Sequence, residues 1–340
     1  MFRSIAPRSA ARSAPRIAGP IPGVAAAWLA ALVAGLLPLA PARAELAEPA
    51  LSAPTPGAVA REAAAAAPPP GVALWRVTDE DSVLWLLGSV HLLDPELEWR
   101  RPAIDRAIAG AERAYFETPT DLAAQAQAVF LIARLGAQPP GRSLNDQLSD
   151  DGKAALENAA LELGFDLAQM DRQRPWLAML QIVTLSFRKM GLDVEAGVEN
   201  VILPELLRAK KEIRYLETIE QQLRFLADLP EPTQLNALEL TLAQRDEEAA
   251  QLDALIAAWR NGDVDALEEI NAQSYEDAPA LSEVLLTRRN RAWIDPLLKE
   301  LAGSGETLVV VGAAHLVGED GVPALLAASP RGADLVIERR

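Results

Sequence analysis

Strand-forming segments sit mainly at the two ends of the folded part of this chain, and that arrangement constrains it more than any other feature. ALWRV at 73–77 and SVLWLL at 82–87 are β-type runs joined by the acidic turn Asp79-Glu80-Asp81. A third short run, AYFE, covers 114–117, after a helix opened by Pro102 and running to Glu112. At the far end, TLVVV at 307–311 has the unbroken apolar character of a buried strand. A short helix over 322–328 and a last strand over 333–338 follow it. Between these ends the pattern is helical over 121–135, 150–163, from Pro175 to about Met190, and over 197–210. EIRYL at 212–216 is strand-like, and the Leu/Ala/Glu-rich stretch 218–302 divides into about three helices. Short strands far apart in sequence bury their faces by pairing with one another. The expected fold is therefore α/β (α+β), with a mixed sheet made from N- and C-terminal strands and flanked by helices. The large helical middle, about 121–302, is its insertion or cap.

The sequence upstream of Gly71 has a different character. Arg3, Arg8, Arg12 and Arg16 form a basic region, Gly23 to Leu37 is an uncharged apolar run, and Pro38 breaks it. Ala42-Arg43-Ala44 fits the small-x-small rule for cleavage, leaving Glu45 as the new terminus. The expectation is a signal peptide over 1–44, a disordered Ala/Pro-rich linker over 45–70 and one folded unit over 71–340. The run is shorter than the ~20 residues of a spanning helix. The product is thus expected to be periplasmic or secreted, with no stable transmembrane domain after cleavage. An uncleaved inner-membrane anchor is the alternative.

Composition excludes several kinds of chemistry. The chain has no cysteine and two histidines. Disulfides, thiolate metal sites, cysteine nucleophiles and a three-histidine metal site are all ruled out. The formal charge is −16, and removal of 1–44, which carry five Arg and no acid, takes it to −21. Such a chain repels phosphate backbones, so no nucleic-acid partner is expected. His-Glu-x-x-His, Gly-x-Ser-x-Gly, phosphate-loop and dinucleotide-binding motifs are absent.

The two histidines share one setting. His91 ends Gly88-Ser89-Val90-His91 after the apolar run 82–87, and His315 ends Gly312-Ala313-Ala314-His315 after the apolar run 307–311. A glycine at the carboxyl end of a strand allows close backbone approach, so the histidine three residues on overhangs the sheet edge where α/β folds bind ligands. Two unrelated loop histidines are the plain alternative. Imidazole is both a metal ligand and an acid–base group near neutral pH.

Carboxylates stand in matching places. Glu117 ends AYFE and Glu217 ends RYLE, each where a strand stops. Glu199, in Gly197-Val198-Glu199, is a third candidate, although the first turn of a helix favours negative charge in any case. Arg289-Asn290 in RRNRAW supplies an Arg able to hold a substrate carboxylate or orient a catalytic one. Glu319 and Asp320 reach the site or cap the helix near Val322, and Ser89 is a hydroxyl beside His91 without a supporting triad motif.

Together ALWRV…SVLWLLGSVHLL, GVENVIL, YLETIEQQLRFL, RRNRAW and LVVVGAAHLVGEDGVPALL resemble the TraB/GumN family, which includes the animal Tiki proteases. The resemblance covers about residues 72–338. The family's paired Gly-x-x-His motifs are matched by Gly88…His91 and Gly312…His315. Its glutamates are matched by Glu117 and Glu217, and its Arg-Asn pair by Arg289-Asn290. Many relatives carry Gly-Val-Asp where this chain has Gly197-Val198-Glu199, one methylene longer. The resemblance implies a fold related to erythromycin-esterase-like and ChaN-like proteins. Tiki members are divalent-metal-dependent proteases, TraB-type relatives inhibit peptide pheromone signalling, and GumN takes its name from an exopolysaccharide gene cluster.

Three functions follow as expectations. One is a metal-dependent hydrolase, a peptidase. In it His91, Glu117 and His315 bind a divalent ion (Mn, Co, Zn or Fe), and Glu217, Glu199, Arg289 and Asn290 serve catalysis on a peptide or small-molecule substrate. Another is a metal-free, esterase-like hydrolase in which the histidines act as acid and base. The last is a non-enzymatic peptide- or ligand-binding protein, or an envelope polysaccharide accessory factor, using the helical middle as its groove.

Overall fold

The computed structural model describes residues 71–276 and 279–340. The expected signal peptide and linker lie outside the described residues. A hairpin of β1 (Leu74–Thr78) and β2 (Ser82–Ser89) leads through α1 (Pro102–Gly110) to β3 (Arg113–Phe116). Then come α2 (Leu122–Gly136), α3 (Asp150–Leu163), the short α4 (Leu167–Met170), α5 (Pro175–Lys189) and α6 (Val198–Arg208), before β4 (Glu212–Tyr215). A second helical excursion contains α7 (Ile219–Ala227), α8 (Glu231–Asn261), α9 (Val264–Ser274), the short α10 (Pro279–Ser282), a π-helical turn (Glu283–Thr287) and α11 (Arg288–Leu301). The chain closes with β5 (Gly305–Gly312), a 3-10 turn (Ala313–Leu316), α12 (Val322–Ala327) and β6 (Val336–Arg339).

The six strands form one mixed sheet in the order β4-β3-β5-β2-β1-β6. The ends of the chain do pair. β5 lies parallel to β2 over its full length, from Ser82 opposite Gly305 to Ser89 opposite Gly312, and also parallel to β3. β4 extends the parallel set beside β3, while β1 runs antiparallel to β2 and to β6. Four parallel strands, β4, β3, β5 and β2, therefore present their carboxyl ends on one edge.

Alternation along these strands serves two cores. Leu308 and Val310 face the large helical side with Leu87, Ala114 and Phe116, whereas Val309 and Val311 face α11 and α12 with Leu84 and Leu86. Burial on both faces is why the run at 308–311 carries no polar residue. The helical middle differs from the expected single insertion. β4 divides it into two parts, and the stretch 218–302 folds into more than three helices, of which α8 alone takes 31 residues. Local signals set several of its boundaries. Thr218 and Gln221 form a reciprocal capping box at the start of α7, and Pro102 and Pro175 occupy the first turns of α1 and α5. Among the described residues no helix is long and apolar enough to cross a membrane.

Candidate active site

Each of the four parallel strands delivers one ionisable side chain to the common edge. Across the sheet these are Glu217 after β4, Glu117 after β3, His315 after β5 and His91 after β2. The pairing continues past the strands, because the Glu217 amide donates to the Glu117 carbonyl at 2.8 Å. The sequence-derived placement of both histidines and both glutamates at one strand edge matches the structure.

The motif glycines make the approach possible. A Cβ on Gly88 would lie 3.0 Å from Ala313 Cα, so the 3-10 turn carrying His315 packs directly on β2. A Cβ on Gly312 would lie 3.4 Å from Glu117 Oε1, 3.4 Å from His315 Cδ2 and 3.8 Å from His91 Nε2. These three groups therefore converge on one small space that the glycine leaves open.

Arg289 organises the buried part. It stands on the first turn of α11, directly after the π-helical turn, and its side chain is 1% exposed. Its Nε donates to Glu217 Oε1 at 2.8 Å, and Nη2 donates to Glu217 Oε2 at 2.9 Å and to Glu117 Oε2 at 2.5 Å. Its Nη1 donates to the Leu285 carbonyl at 3.0 Å and meets His315 Nε2 at 3.1 Å. All five N–H groups of the guanidinium are thereby used. Phe225 and Trp293 flank it at 5.4 and 5.0 Å. Of the two roles open to Arg289 from the sequence, the geometry is that of an orienter of carboxylates.

This arrangement fixes the state of His315. A guanidinium only donates, so His315 Nε2 accepts; its proton then sits on Nδ1, which donates to Asn290 Oδ1 at 2.5 Å. Asn290 is held in turn by donating from Nδ2 to the Asp320 carbonyl at 2.8 Å. Asp320 thus anchors α11, while its carboxylate pairs outward with Arg291. Burial and the charge of Arg289 push the His315 pKa down to about 3, so the ring is neutral at physiological pH. Trp293 covers it with ring centroids 4.4 Å apart.

Glu117 is ionised. Burial opposes its charge, but Arg289 and the neighbouring imidazoles, with the Gly312 amide donating at 2.8 Å, outweigh that and hold its pKa down at about 2. Glu217 responds in the opposite sense. Burial raises its pKa in spite of Arg289 and of the Trp293 indole that donates to it at 2.9 Å.

His91 has the reverse environment. Its Nδ1 lies 3.0 Å from Glu199 Oε1, its side chain is 18% exposed, and its Nε2 has no partner among the described residues. Burial disfavours its charge, yet the Glu199 carboxylate beside it, together with Glu117, raises its pKa above the ordinary value. α6 brings Glu199 into place because Gly197 lies against the His91 backbone and the Val198 amide donates to the Val90 carbonyl. Among the described residues neither Glu199 oxygen has a hydrogen bond besides its contact with His91.

Sequence reasoning gave no role to three further residues. Gln222 donates to Glu117 Oε2 at 3.0 Å, Trp293 binds Glu217, and Tyr275 is buried near the charge of Arg289 with a hydroxyl that has no partner among the described residues. Gln222 and Trp293 lie inside YLETIEQQLRFL and RRNRAW, so the signal was present in those motifs. Ser89 is fully buried and its Oγ has no partner among the described residues.

The donor set does not fit the expected divalent ion as it stands. Both nitrogens of His315 are committed, Glu117 is taken up by Arg289, Gln222 and Gly312, and only His91 Nε2 is an uncommitted imidazole nitrogen. A guanidinium already supplies the positive charge. Among the described residues no three or more His, Asp or Glu side chains are disposed as a ligand group.

A family model described as "TraB/PrgY/gumN family" matches residues 73–330. The uncharacterized protein YbaP of Escherichia coli (strain K12) is 27% identical over 188 residues, covering 55% of this chain and 69% of that protein. The protein of the same name from Shigella flexneri matches to the same extent. No solved structure matches.

Proposed function

The chain belongs to the TraB/PrgY/gumN family, and we propose that it is a hydrolase of peptide or similar carbonyl substrates, acting in the periplasm or after secretion, in which His91 is the general base. The observation that carries this reading is the difference between the two imidazoles. His315 has both nitrogens bound and is neutral, whereas His91 keeps Nε2 free beside the Gly312 gap and holds a carboxylate on Nδ1. A carboxylate on one imidazole nitrogen and a free second nitrogen make an oriented base.

In this mechanism His91 Nε2 removes a proton from water as its oxygen forms a bond to the substrate carbonyl carbon. Glu199, with the charge of Glu117 nearby, stabilises the imidazolium. Collapse breaks the carbon–nitrogen bond, and Nε2 returns the proton to the leaving amine, so the products are an acid and an amine. Arg289, Asn290 and Glu217 are positioning residues. Arg289 holds Glu117 ionised and His315 neutral, Asn290 fixes the His315 tautomer and Glu217 orients Arg289, and no step is routed through a metal.

The test is cleavage of an unbiased peptide mixture, followed by mass spectrometry, with and without exhaustive chelation. Cleavage that survives chelation and disappears in His91→Ala is the expected result. Full cleavage by a folded His91→Ala protein, or cleavage abolished by chelation and restored by one metal, overturns the proposal.

A further inference from the structure

α2 combines two properties that rarely go together. No charged residue occurs from Leu122 to Ala133, yet eight of these 12 residues are exposed. The other long uncharged stretch, 175–187 of α5, has no exposed residue. A helix that is apolar on all sides is normally buried on all sides. Within this stretch α2 buries Ala124, Ala128 and Leu131 on the body of the protein, but leaves Leu122, Val129 and Phe130 83%, 42% and 64% exposed. An apolar face of this extent marks an interaction surface.

The pattern of that face is complementary to itself. Leu122, Ala126, Val129 and Ala133 recur at intervals of four, three and four, so at ~100° per residue they share an arc of roughly 60°. Their sizes alternate large, small, large, small. A two-fold axis crossing α2 between Gln127 and Ala128 brings a second copy of the helix alongside in the antiparallel sense. Each layer then sets a large side chain on an alanine, with Leu122 against the partner's Ala133 and Val129 against the partner's Ala126. A parallel pair would set leucine on leucine and leave alanine facing alanine. An alanine in every layer lets the helix axes approach to about 8 Å. The side chains exposed over 122–133 offer roughly 600 Å² per copy, so two copies bury about 1,200 Å², the lower end of specific interfaces.

Electrostatics favours the same occupant. Two copies of a chain with net charge −16 repel one another unless they meet across an uncharged face. A lipid surface is a poorer match, because helices that lie on membranes carry Lys or Arg along the polar face. The exposed polar residues of this stretch are Gln125 and Gln127, and Arg134 just beyond it pairs with Glu220. We infer that the protein forms a two-fold dimer through antiparallel pairing of α2. The interface uses none of the residues around His91, so it stands or falls independently of the proposed hydrolysis.

The experiment is sedimentation velocity on the purified protein, combined with thiol cross-linking. Wild type is expected to sediment as a dimer at about 100 μM. Ala126→Glu, which sets like charges on either side of the axis, is expected to weaken dimerisation by roughly tenfold or more; thermal melts check that it folds. The chain has no cysteine, so introduced thiols report the register without background. Leu122→Cys/Ala133→Cys is expected to give a disulfide-linked dimer under mild oxidation. Neither single substitution should do so, because the two identical positions lie roughly 16 Å apart along the paired helices at ~1.5 Å per residue. A monomer at about 100 μM, a dimer indifferent to Ala126→Glu, or cross-linking of Leu122→Cys alone as efficient as that of the pair overturns the inference. So does capture of the wild type by phosphatidylglycerol vesicles that Ala126→Glu abolishes.

Discussion

Replacing Arg289 with Met tests whether the guanidinium holds the site together. Methionine preserves much of the apolar contact with Phe225 and Trp293 but removes all five hydrogen bonds. Glu117 and Glu217, whose side chains are 8% and 6% exposed, lose their counter-charge. Leaving a buried charge uncompensated costs about 3–5 kcal/mol. For a folded unit of this size each kcal/mol moves Tm by about 2–4 °C, so a fall of roughly 10 °C is expected near neutral pH. The pH dependence identifies the cause. In the wild type, Glu117 is depressed to about 2, so its contribution is present above the ordinary carboxylate range and lost as pH falls toward 2. His315, depressed to about 3, also loses its contribution as pH falls from 6.5 through 3. Without Arg289, burial raises the carboxylate pKa values, and the variant loses stability as pH rises through them. The gap between the two proteins should therefore be wide at about pH 7.5 and narrower at about pH 5. Circular-dichroism melts at both values measure it, and Arg289→Met/Glu117→Gln/Glu217→Gln should recover part of the loss. A Tm within about 2 °C of wild type near neutrality, or a deficit independent of pH, would refute the reasoning.

Other perturbations separate the roles of neighbouring groups. Glu199→Gln removes the main charge that raises the His91 pKa, so the acid limb of the pH–rate profile, expected above 6.5 in the wild type, should move to lower pH while turnover falls. An unmoved limb would place the titrating group elsewhere. Gly312→Ala puts a methyl at contact distance from Glu117, His315 and His91, so the protein should fold with Tm changed by only a few degrees while hydrolysis drops at least about tenfold. Unimpaired hydrolysis would mean that the reacting atoms do not occupy this space. Tyr275→Phe removes a buried hydroxyl that has no partner among the described residues, so Tm should hold or rise. A clear loss of stability would show that the hydroxyl is satisfied in the folded protein.

The strand edge was legible for a physical reason. Parallel strands all place their carboxyl ends on one side, so a His or Glu just past a short apolar run is located before any tertiary contact is known. That logic covers His91, Glu117, Glu217 and His315. It does not reach Arg289, because its inward direction depends on the π-helical turn Glu283–Thr287 that sets the register of α11. No hydrophobic period reports that turn. The same limit hid the length of α8, whose Leu/Ala/Glu-rich sequence has no interior breaker, and the use of β4 as a sheet edge that divides the helical region.

The two Gly-x-x-His motifs also show why likeness in sequence did not extend to likeness in chemistry. In the β2–β5 register Gly88 lies opposite Val311 and Gly312 opposite Ser89, so the motifs are offset by one residue. The offset alone would carry His315 one residue further out, but the 3-10 turn Ala313–Leu316 packs it against β2, and it lies 4% exposed under Trp293 and beside a cation that keeps it neutral. His91 stands further out, beside an anion that favours its charged form. One imidazole is thereby fixed as part of the scaffold and the other is left able to take a proton. With both nitrogens of His315 committed, a metal could use it only after Arg289 or Asn290 let go, and releasing Arg289 would uncover two buried carboxylates at once. Chelation and Arg289 substitution therefore probe one energetic question, and the acid–base role proposed for His91 would leave that buried network intact.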